Sequence, residues 1–192
     1  MNIGTMLEAV IPKARIKARL IDVVSYASDA GFYYLQPKAV VQPVSEEEVK
    51  RLFHFSHEHR IPLTFRAAGT SLSGQSITDG ILVDLSQYWS LVRVEDSGEA
   101  VRVQPGVTGA VVNAQLKRYK KKIGPDPASI NSAMMGGILS NNASGMCCGV
   151  SRNSYHTTKF IRFILPNGSS YSTEDKEDYS RFRQDNPAIY EK

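Results

Sequence analysis

The sequence predicts an α+β protein with two small lobes, and two patterns along the chain support this prediction. Strand, helix and strand follow one another in the first half, which is the order of a parallel βαβ unit. In the second half, pairs of short strands joined by tight turns alternate with helical segments, which indicates an antiparallel sheet with flanking helices. We therefore expect a parallel βαβ lobe followed by a partial antiparallel lobe.

The chain before the first lobe is predicted to be helical. Residues 5–28 carry two helical stretches, the first broken near Pro12 and the second covering residues 16–27. We assign residues 1–35 to this N-terminal helical segment.

The βαβ lobe is assigned to residues 36–88. Its helix begins after Ser45, because Ser45 and Glu48 have the spacing of a capping box, and we expect it to reach about Arg60. The remaining elements are short strands at residues 38–42, 62–66 and 80–85.

The second lobe is assigned to residues 89–192, and we expect it to be incomplete. Thr108 begins a helix that runs to about Lys122 and ends with Gly124 as its C-cap. Residues 125–153 are rich in Gly, Ser and Asn without a regular pattern, and the apolar pattern fades after Thr173. The strands of this lobe are predicted at residues 91–95, 100–104, 159–165 and 170–173.

Composition and charge exclude several classes of protein. With 42% hydrophobic and 22% charged residues, the chain has the composition of a folded protein, and it has neither a membrane-spanning run nor a secretory signal. The basic residues within 117–122 follow a predicted helix, where they complement the helix dipole, so we expect no nucleic-acid partner. Cys147 and Cys148 lack metal-site spacing, and His54 and His57 lack further ligands, so no metal site is predicted.

The connection between the second and third strands of the βαβ lobe resembles a phosphate-binding loop without its lysine. In GTSLSGQS, residues 69–76, Gln75 occupies the lysine position and no helix follows, which excludes a P-loop nucleotide hydrolase. The small side chains that follow Arg66 let backbone amides approach an anion, which suits a pyrophosphate bound without metal. Arg66 itself either pairs with a phosphate or holds a nearby carboxylate.

A second glycine-rich stretch within residues 125–153 has the same character. Gly136, Gly137 and residues 141–145 allow close contact between the backbone and a flat ligand, although ordinary turns have this composition too. Because two such stretches occur, we favour a shared ligand over two unrelated turns.

These segments together resemble the FAD-binding domain of the vanillyl-alcohol-oxidase-type (PCMH-type) flavoproteins. The resemblance extends roughly over residues 15–175 and is carried by the ordered motifs RAAGTSLSGQS, GILVDLS, VQPGV, PDPAS and GGILSNNASGMCCG. Within this superfamily the similarity is greatest to FAD-linked D-lactate and glycolate dehydrogenases, above all the large iron–sulfur-containing D-lactate dehydrogenases.

The resemblance implies noncovalent FAD, because Thr70 stands where some relatives carry a flavin-linking histidine. The first loop would bind the pyrophosphate, and the later segments would surround the flavin. The candidate FAD-binding residues are Arg66, Ala67, Ala68, Gly69, Thr70, Ser71, Gly74, Gln75, Ser76, Pro105, Gly106, Pro127, Ala128, Ser129, Gly136, Gly137, Asn141, Asn142, Ala143 and Gly145.

The resemblance also implies an oxidoreductase that oxidises a 2-hydroxy acid such as D-lactate or glycolate by hydride transfer to FAD. The family's Gly-Ser-Glu-Gly motif is missing from these 192 residues, so we expect an N-terminal piece that is inactive alone. An iron–sulfur cluster would belong to the remaining part, and the electron acceptor, a quinone or a cytochrome, stays open. No catalytic residue is assigned. We expect a cytoplasmic protein, with peripheral attachment to the inner membrane left open for the full length.

Two alternatives stay open at this point. The first alternative to an FAD-binding domain is a standalone binding module for another nucleotide. The second is a fragment without a cofactor, whose glycine-rich stretches are merely turns. Tight nucleotide binding by the chain alone would favour the first alternative, and a wide separation of the two stretches would favour the second.

Overall fold

A four-stranded sheet organises the first half of the computed structural model, which describes residues 2–191. Its strands are β1 (Ile16–Lys17), β2 (Ala39–Val41), β3 (Leu63–Arg66) and β4 (Ile81–Asp84). β4 lies between β2 and β3 and is parallel to both, whereas β1 pairs antiparallel with β2. The parallel βαβ arrangement is therefore confirmed, with β4 inserted between the two strands that the helix connects.

Three helices accompany this sheet: α1 (Ile3–Leu7), α2 (Leu20–Ser25) and α3 (Glu46–His59). The Oγ atom of Ser45 accepts a hydrogen bond from the amide of Glu48 at 3.3 Å, so the predicted N-cap of α3 is confirmed. The reciprocal half of the capping box is wrong, because the Glu48 carboxylate accepts from the amide of Val44 and from Arg15 rather than from the amide of Ser45. α3 ends where Arg60 adopts a left-handed conformation with φ of 54°. The core beneath it contains Leu7, Ile11, Ala39, Val41, Leu52, Phe55, Ile81 and Val83. Each large side chain buried there contributes about 2 kcal/mol to folding.

The predicted helix over residues 16–27 is wrong at its start. Ile16 and Lys17 form β1 instead, because they pair with Val41 and Val40 and extend the sheet by one strand. Only Leu20–Ser25 is helical in this stretch. Tertiary strand pairing here outweighs the local helical pattern.

The second half contains two antiparallel hairpins, which form separate two-stranded sheets. One joins β5 (Val92–Glu95) to β6 (Ala100–Val103), and the other joins β7 (Arg162–Ile164) to β8 (Ser170–Ser172). The helix α4 (Gly109–Leu116) begins after Thr108, whose Oγ1 accepts from the amide of Val111. A second core forms from Val107, Val112, Leu116, Ala133, Met135 and Ile138.

The predicted end of α4 at Lys122 and Gly124 is wrong. α4 ends at Leu116 and continues only as a 3-10 turn over Lys117–Tyr119, after which Lys120 adopts a left-handed conformation with φ of 57°. Gly124 instead serves close packing, because a Cβ atom there would stand 2.3 Å from the carbonyl oxygen of Arg152.

Four further helices lie in stretches without a predicted regular pattern: α5 (Met135–Ser140), α6 (Ser154–Thr157), α7 (Lys176–Asp185) and α8 (Pro187–Tyr190). α5 forms despite two glycines, because its Met135 and Ile138 are buried in the second core. α7 has no buried residue, which explains why no apolar pattern indicated it. No helix among residues 2–191 is both long and apolar enough to cross a bilayer. The division into residues 1–35, 36–88 and 89–192 stays a prediction.

Candidate functional site

A cleft of about 380 Å³ opens where β3 and β4 end, between the four-stranded sheet and the second half of the chain. The carboxyl ends of parallel strands are the usual place for a ligand in such sheets. Most of the predicted site residues line this cleft: Arg66, Ala67, Ala68, Gly69, Thr70, Ser71, Gln75, Ser76, Pro105, Ser129, Gly136, Gly137, Asn141 and Ala143.

The remaining predicted residues lie outside the lining of the cleft: Gly74, Gly106, Pro127, Ala128, Asn142 and Gly145. Two of them serve close backbone packing. A Cβ atom would stand 2.2 Å from the Leu85 carbonyl oxygen at Gly106, and 1.5 Å from that of Asp126 at Gly145. Gly106 and Gly145 thus serve the packing around the cleft, and contact of any of the six residues with a ligand stays a prediction.

Sequence reasoning missed several residues that line the cleft: Phe65, Leu85, Ala133, Met134, Ile138 and Ser140. Phe65 and Leu85 lie at or near the carboxyl ends of predicted strands, where ligands usually bind, so the sequence could have indicated them. Met134 precedes the unpredicted helix α5 and Ser140 is its last residue, so only the recognition of that helix would have indicated them.

The loop that follows β3 supplies unpaired main-chain donors to the cleft. Among residues 2–191, the amides of residues 67–71 have no hydrogen-bond partner. These residues are only partly exposed, and polar groups in such positions are normally paired with protein, water or a ligand. Gly69, with φ of 69°, turns the chain within this run. Successive free amides of this kind suit an anion.

Arg66, at the edge of the cleft, is held by the chain segment that packs beside this loop. Its Nη1 atom donates to the carbonyl oxygens of Tyr26 at 3.2 Å and Ser28 at 2.8 Å. The guanidinium also lies 5.5 Å from the centre of the Tyr26 ring. The alternative in which Arg66 holds a nearby carboxylate is wrong, because its partners are backbone carbonyl groups.

The other wall of the cleft is formed by α5. The amide of Gly136 donates to the Pro105 carbonyl at 2.9 Å, and a Cβ atom on Gly136 would stand 2.7 Å from the Cβ atom of Pro105. Gly137 has open space where its Cβ would be, with nothing within 4 Å. At Gly137 the helix therefore presents bare backbone to the cleft, against which a flat group can lie.

The two glycine-rich stretches contact each other directly. The side-chain amide of Gln75 donates a hydrogen bond to Oδ1 of Asn141. They therefore form two walls of one cleft, and the wide separation that would have favoured a fragment without a cofactor is not observed.

The cleft lacks an evident proton acceptor among its described lining residues, where Arg66 is the one charged side chain. His156 lies on α6 outside the lining and contacts Oδ1 of Asn153 through Nδ1 at 2.8 Å. The geometry thus supports binding and orientation of a ligand and assigns no acid or base.

Solved structures share this architecture. The chain aligns with chitooligosaccharide oxidase with a TM-score of 0.76 at 17% identity, covering 94% of this chain and 38% of that one. It aligns with p-cresol methylhydroxylase with a TM-score of 0.72 at 16% identity, covering 88% and 34% respectively. These likenesses confirm the vanillyl-alcohol-oxidase-type fold.

Curated relatives are similar in sequence. D-2-hydroxyglutarate dehydrogenase of Pseudomonas putida is 36% identical over 123 residues, which is 62% of this chain and 12% of that protein. Glycolate oxidase subunit GlcD of Escherichia coli K12 is 29% identical over 130 residues, which is 66% of this chain and 26% of that protein. The chain thus corresponds to a small part of each relative.

The sequence profile of one family covers both lobes and both walls of the cleft. It matches residues 37–174, which is most of the 192-residue chain, and its description is FAD binding domain. The chain therefore belongs to the FAD binding domain family.

Proposed function

We propose that this chain is the FAD-binding portion of a flavin-dependent oxidoreductase that oxidises a 2-hydroxy acid. The relatives support the substrate class, because 2-hydroxyglutarate and glycolate, after which they are named, are both 2-hydroxy acids. They also support the proposal that this chain supplies only the FAD-binding part of the enzyme, since the matched segments span 12% and 26% of the lengths of these relatives.

The observation that carries the proposal is the run of free amides at residues 67–71. The pyrophosphate of FAD would receive hydrogen bonds from these amides, and the hydroxyl groups of Thr70 and Ser71 add donors beside them. An anion bound there needs no metal ion, and the residues between 2 and 191 hold no cluster of metal-binding side chains.

The flavin ring would lie against the opposite wall. Gly137 leaves open space for a planar group, and Ser129 and Asn141 line the cleft beside it with polar atoms. When bound, FAD supplies the hydride-accepting ring, and the residues of this chain bind and orient it. We propose direct contact for the lining residues other than Arg66, and a supporting role for Arg66, Gly74, Gly106, Pro127, Ala128, Asn142 and Gly145.

FAD is proposed to be held without a covalent bond, because Thr70 lines the cleft and offers no nucleophile comparable to histidine. Denaturation of the FAD-loaded protein should release all flavin into the supernatant. Re-oxidation by a quinone or a cytochrome, and an iron–sulfur cluster outside these 192 residues, belong to the same proposal.

Ligand titration tests the binding site. FAD and ADP share the pyrophosphate, so both should bind the chain and compete with each other, with FAD the tighter of the two, whereas riboflavin should bind far more weakly. Tighter binding of ADP than of FAD would instead favour the alternative of a standalone module for another nucleotide. Lys120→Ala, in the exposed turn after α4, is the control and should leave the FAD affinity unchanged. Equal affinity for riboflavin and FAD would contradict the role of the amides.

The substrate class is tested on the complete protein that contains these residues. D-lactate, glycolate or D-2-hydroxyglutarate, added without oxygen, should bleach its flavin absorption. The FAD-loaded 192-residue chain should stay unbleached. If none of the 2-hydroxy acids reduces the flavin of the complete protein, the proposed activity is wrong.

A further inference from the structure

A short segment that precedes the family match packs against the loop of residues 66–76, which we call the amide loop. We call residues 26–31 the strap; the family profile begins only at residue 37. Besides the two carbonyl groups that receive hydrogen bonds from Arg66, the amide of Ala30 donates to the carbonyl of Gly69 at 3.1 Å. The strap therefore contacts the amide loop at its first residue, Arg66, and again at Gly69, in the middle of the run of free amides at residues 67–71 (the amide run).

The far end of the loop is attached to the strap as well. The Oγ atom of Ser76 donates to Oδ2 of Asp29 at 3.3 Å, and the other carboxylate oxygen of Asp29 accepts from the Gly31 amide at 2.8 Å. Gly31 in turn approaches the loop so closely that a Cβ atom there would stand 2.7 Å from the carbonyl oxygen of Leu72. The strap thus follows the loop over its whole length.

Arg66 lies between the strap and the amide run. A Cβ atom on Gly69 would stand 2.4 Å from the guanidinium nitrogens, so the cation packs directly beneath this glycine. Because the guanidinium is fixed by two strap carbonyl groups and the Tyr26 ring, its position depends on the strap.

A buried carboxylate anchors the strap to the sheet. Asp84, at the end of β4, is 1% exposed and accepts from the Tyr26 hydroxyl at 2.9 Å and from Nε2 of Gln42 at 2.8 Å. Burial and the charge of Asp84 raise the pKa of Tyr26 to about 12, so the phenol stays a donor at neutral pH. Asp84 and Arg66 are paired in register, so the strap binds two adjacent strand ends.

We infer that the strap is a positioning element of the site, which holds the amides of residues 67–71 in the arrangement that receives a pyrophosphate. The inference rests on the proposed function and adds that binding strength depends on residues 26–31, which do not touch the ligand. Arg66 is by this inference a positioning residue, which transmits the placement of the strap to the loop.

The experiment compares two tyrosines that donate to a carboxylate over the same distance. Tyr26→Phe removes the bond to Asp84, and Tyr171→Phe removes a bond of 2.9 Å to Asp185, remote from the cleft. One readout is the ¹⁵N relaxation of the amides of residues 67–71 in the FAD-free chain, and the other is the FAD dissociation constant. Asp29→Ala, which leaves the buried network intact, serves as the second variant where Tyr26→Phe does not fold.

Tyr26→Phe or Asp29→Ala should make the loop amides more mobile and raise the FAD dissociation constant about fivefold, the size expected for one net hydrogen bond. Tyr171→Phe should change neither readout. Loop amides as rigid as in the unsubstituted chain, or an equal effect of Tyr171→Phe, would overturn the inference. If the unsubstituted chain does not bind FAD, the proposed function fails, and the relaxation data still decide the role of the strap.

Discussion

Gln75 and Asn141 join the two glycine-rich walls of the cleft through a hydrogen bond between their side chains, although they lie 66 residues apart. One residue belongs to the loop after β3, and the other directly follows α5. The bond closes the cleft on one side and makes a single site of two segments from different halves of the chain.

Gln75→Glu tests whether the side of the cleft closed by Gln75 and Asn141 faces a bound anion. A carboxylate at residue 75 would face the proposed pyrophosphate, so FAD affinity should fall about tenfold, a loss of roughly 1.4 kcal/mol. The loss should shrink at high salt, because the carboxylate is exposed. Isothermal titration measures both effects. Gln115→Glu, on the exposed face of α4, introduces the same charge and should leave FAD affinity unaltered.

Gly69→Ala should weaken FAD binding more than it weakens the fold. A methyl group there meets the guanidinium of Arg66 at 2.4 Å, and the positive φ of 69° adds about 1 kcal/mol of backbone strain. Gly149→Ala is the matched control, since Gly149 also has a positive φ, of 53°, but open space around its Cβ position. Thermal unfolding should show a similar strain cost in both variants. If Gly69→Ala and Gly149→Ala bound FAD equally well, the close packing of Gly69 on Arg66 would not matter for the proposed pyrophosphate site.

Gly137→Ala should change stability and FAD affinity in opposite directions. Gly137 lies inside α5 with open space around its Cβ position, so alanine should stabilise the helix by about 0.5–1 kcal/mol. The same methyl group would enter the wall of the cleft and displace the proposed flavin ring. A higher melting temperature together with a higher FAD dissociation constant is the expected result. Unchanged or tighter FAD binding would remove Gly137 from the proposed contact surface.

Arg66→Lys distinguishes a positioning residue from a simple positive charge. Lysine keeps the charge, but it lacks the planar guanidinium that bonds to Tyr26 and Ser28 and packs beneath Gly69. We expect FAD affinity to fall nearly as far as in Arg66→Met. Restoration of most of the affinity by lysine would mean that Arg66 acts by charge on the phosphate itself. Fluorescence titration of the two FAD-free variants with FAD measures both affinities.

Arg15→Met should destabilise the protein by about 3 kcal/mol, because the buried Glu48 carboxylate then loses both hydrogen bonds from Arg15 and keeps the bond from the Val44 amide. The two side chains are 14% and 8% exposed and form hydrogen bonds of 2.5 and 2.6 Å. Arg19→Met is the control, since the Arg19 side chain, paired with Asp22, is 80% exposed, and little change is expected. Urea unfolding at neutral pH gives both values.

The same pair predicts how stability depends on pH. The hydrogen bond from Arg15 lowers the pKa of Glu48, so its stabilisation is complete above the unfolded pKa of about 4.3 and is lost as pH falls through the lower folded value. In Arg15→Met this contribution is absent, so the difference in unfolding free energy between the two proteins should narrow below about pH 4. A constant difference across this range would show that Glu48 does not titrate with the pair.

Local chemistry explains what the sequence revealed about the site. The loop of residues 66–76 was recognisable because small side chains, two glycines and a missing helix limit what such a connection can bind. The cap of α3 was equally readable, since Ser45 and Glu48 contact each other within one turn. Helix α5 was not readable, because Gly136 and Gly137 weaken its propensity and only its burial against distant residues stabilises it.

By itself, the sequence determined the βαβ order, the loop of small residues at 66–76, the pairs of short strands joined by tight turns, and the resemblance to an FAD-binding domain, because each depends on neighbouring residues or on ordered motifs. Only the tertiary structure decided that Gln75 meets Asn141, that Ile16 and Lys17 form a strand, and that Arg66 binds the strap. These contacts join residues 23 to 66 positions apart. Partners so far apart along the chain are selected by packing and hydrogen-bond satisfaction in the folded state, which no local pattern encodes.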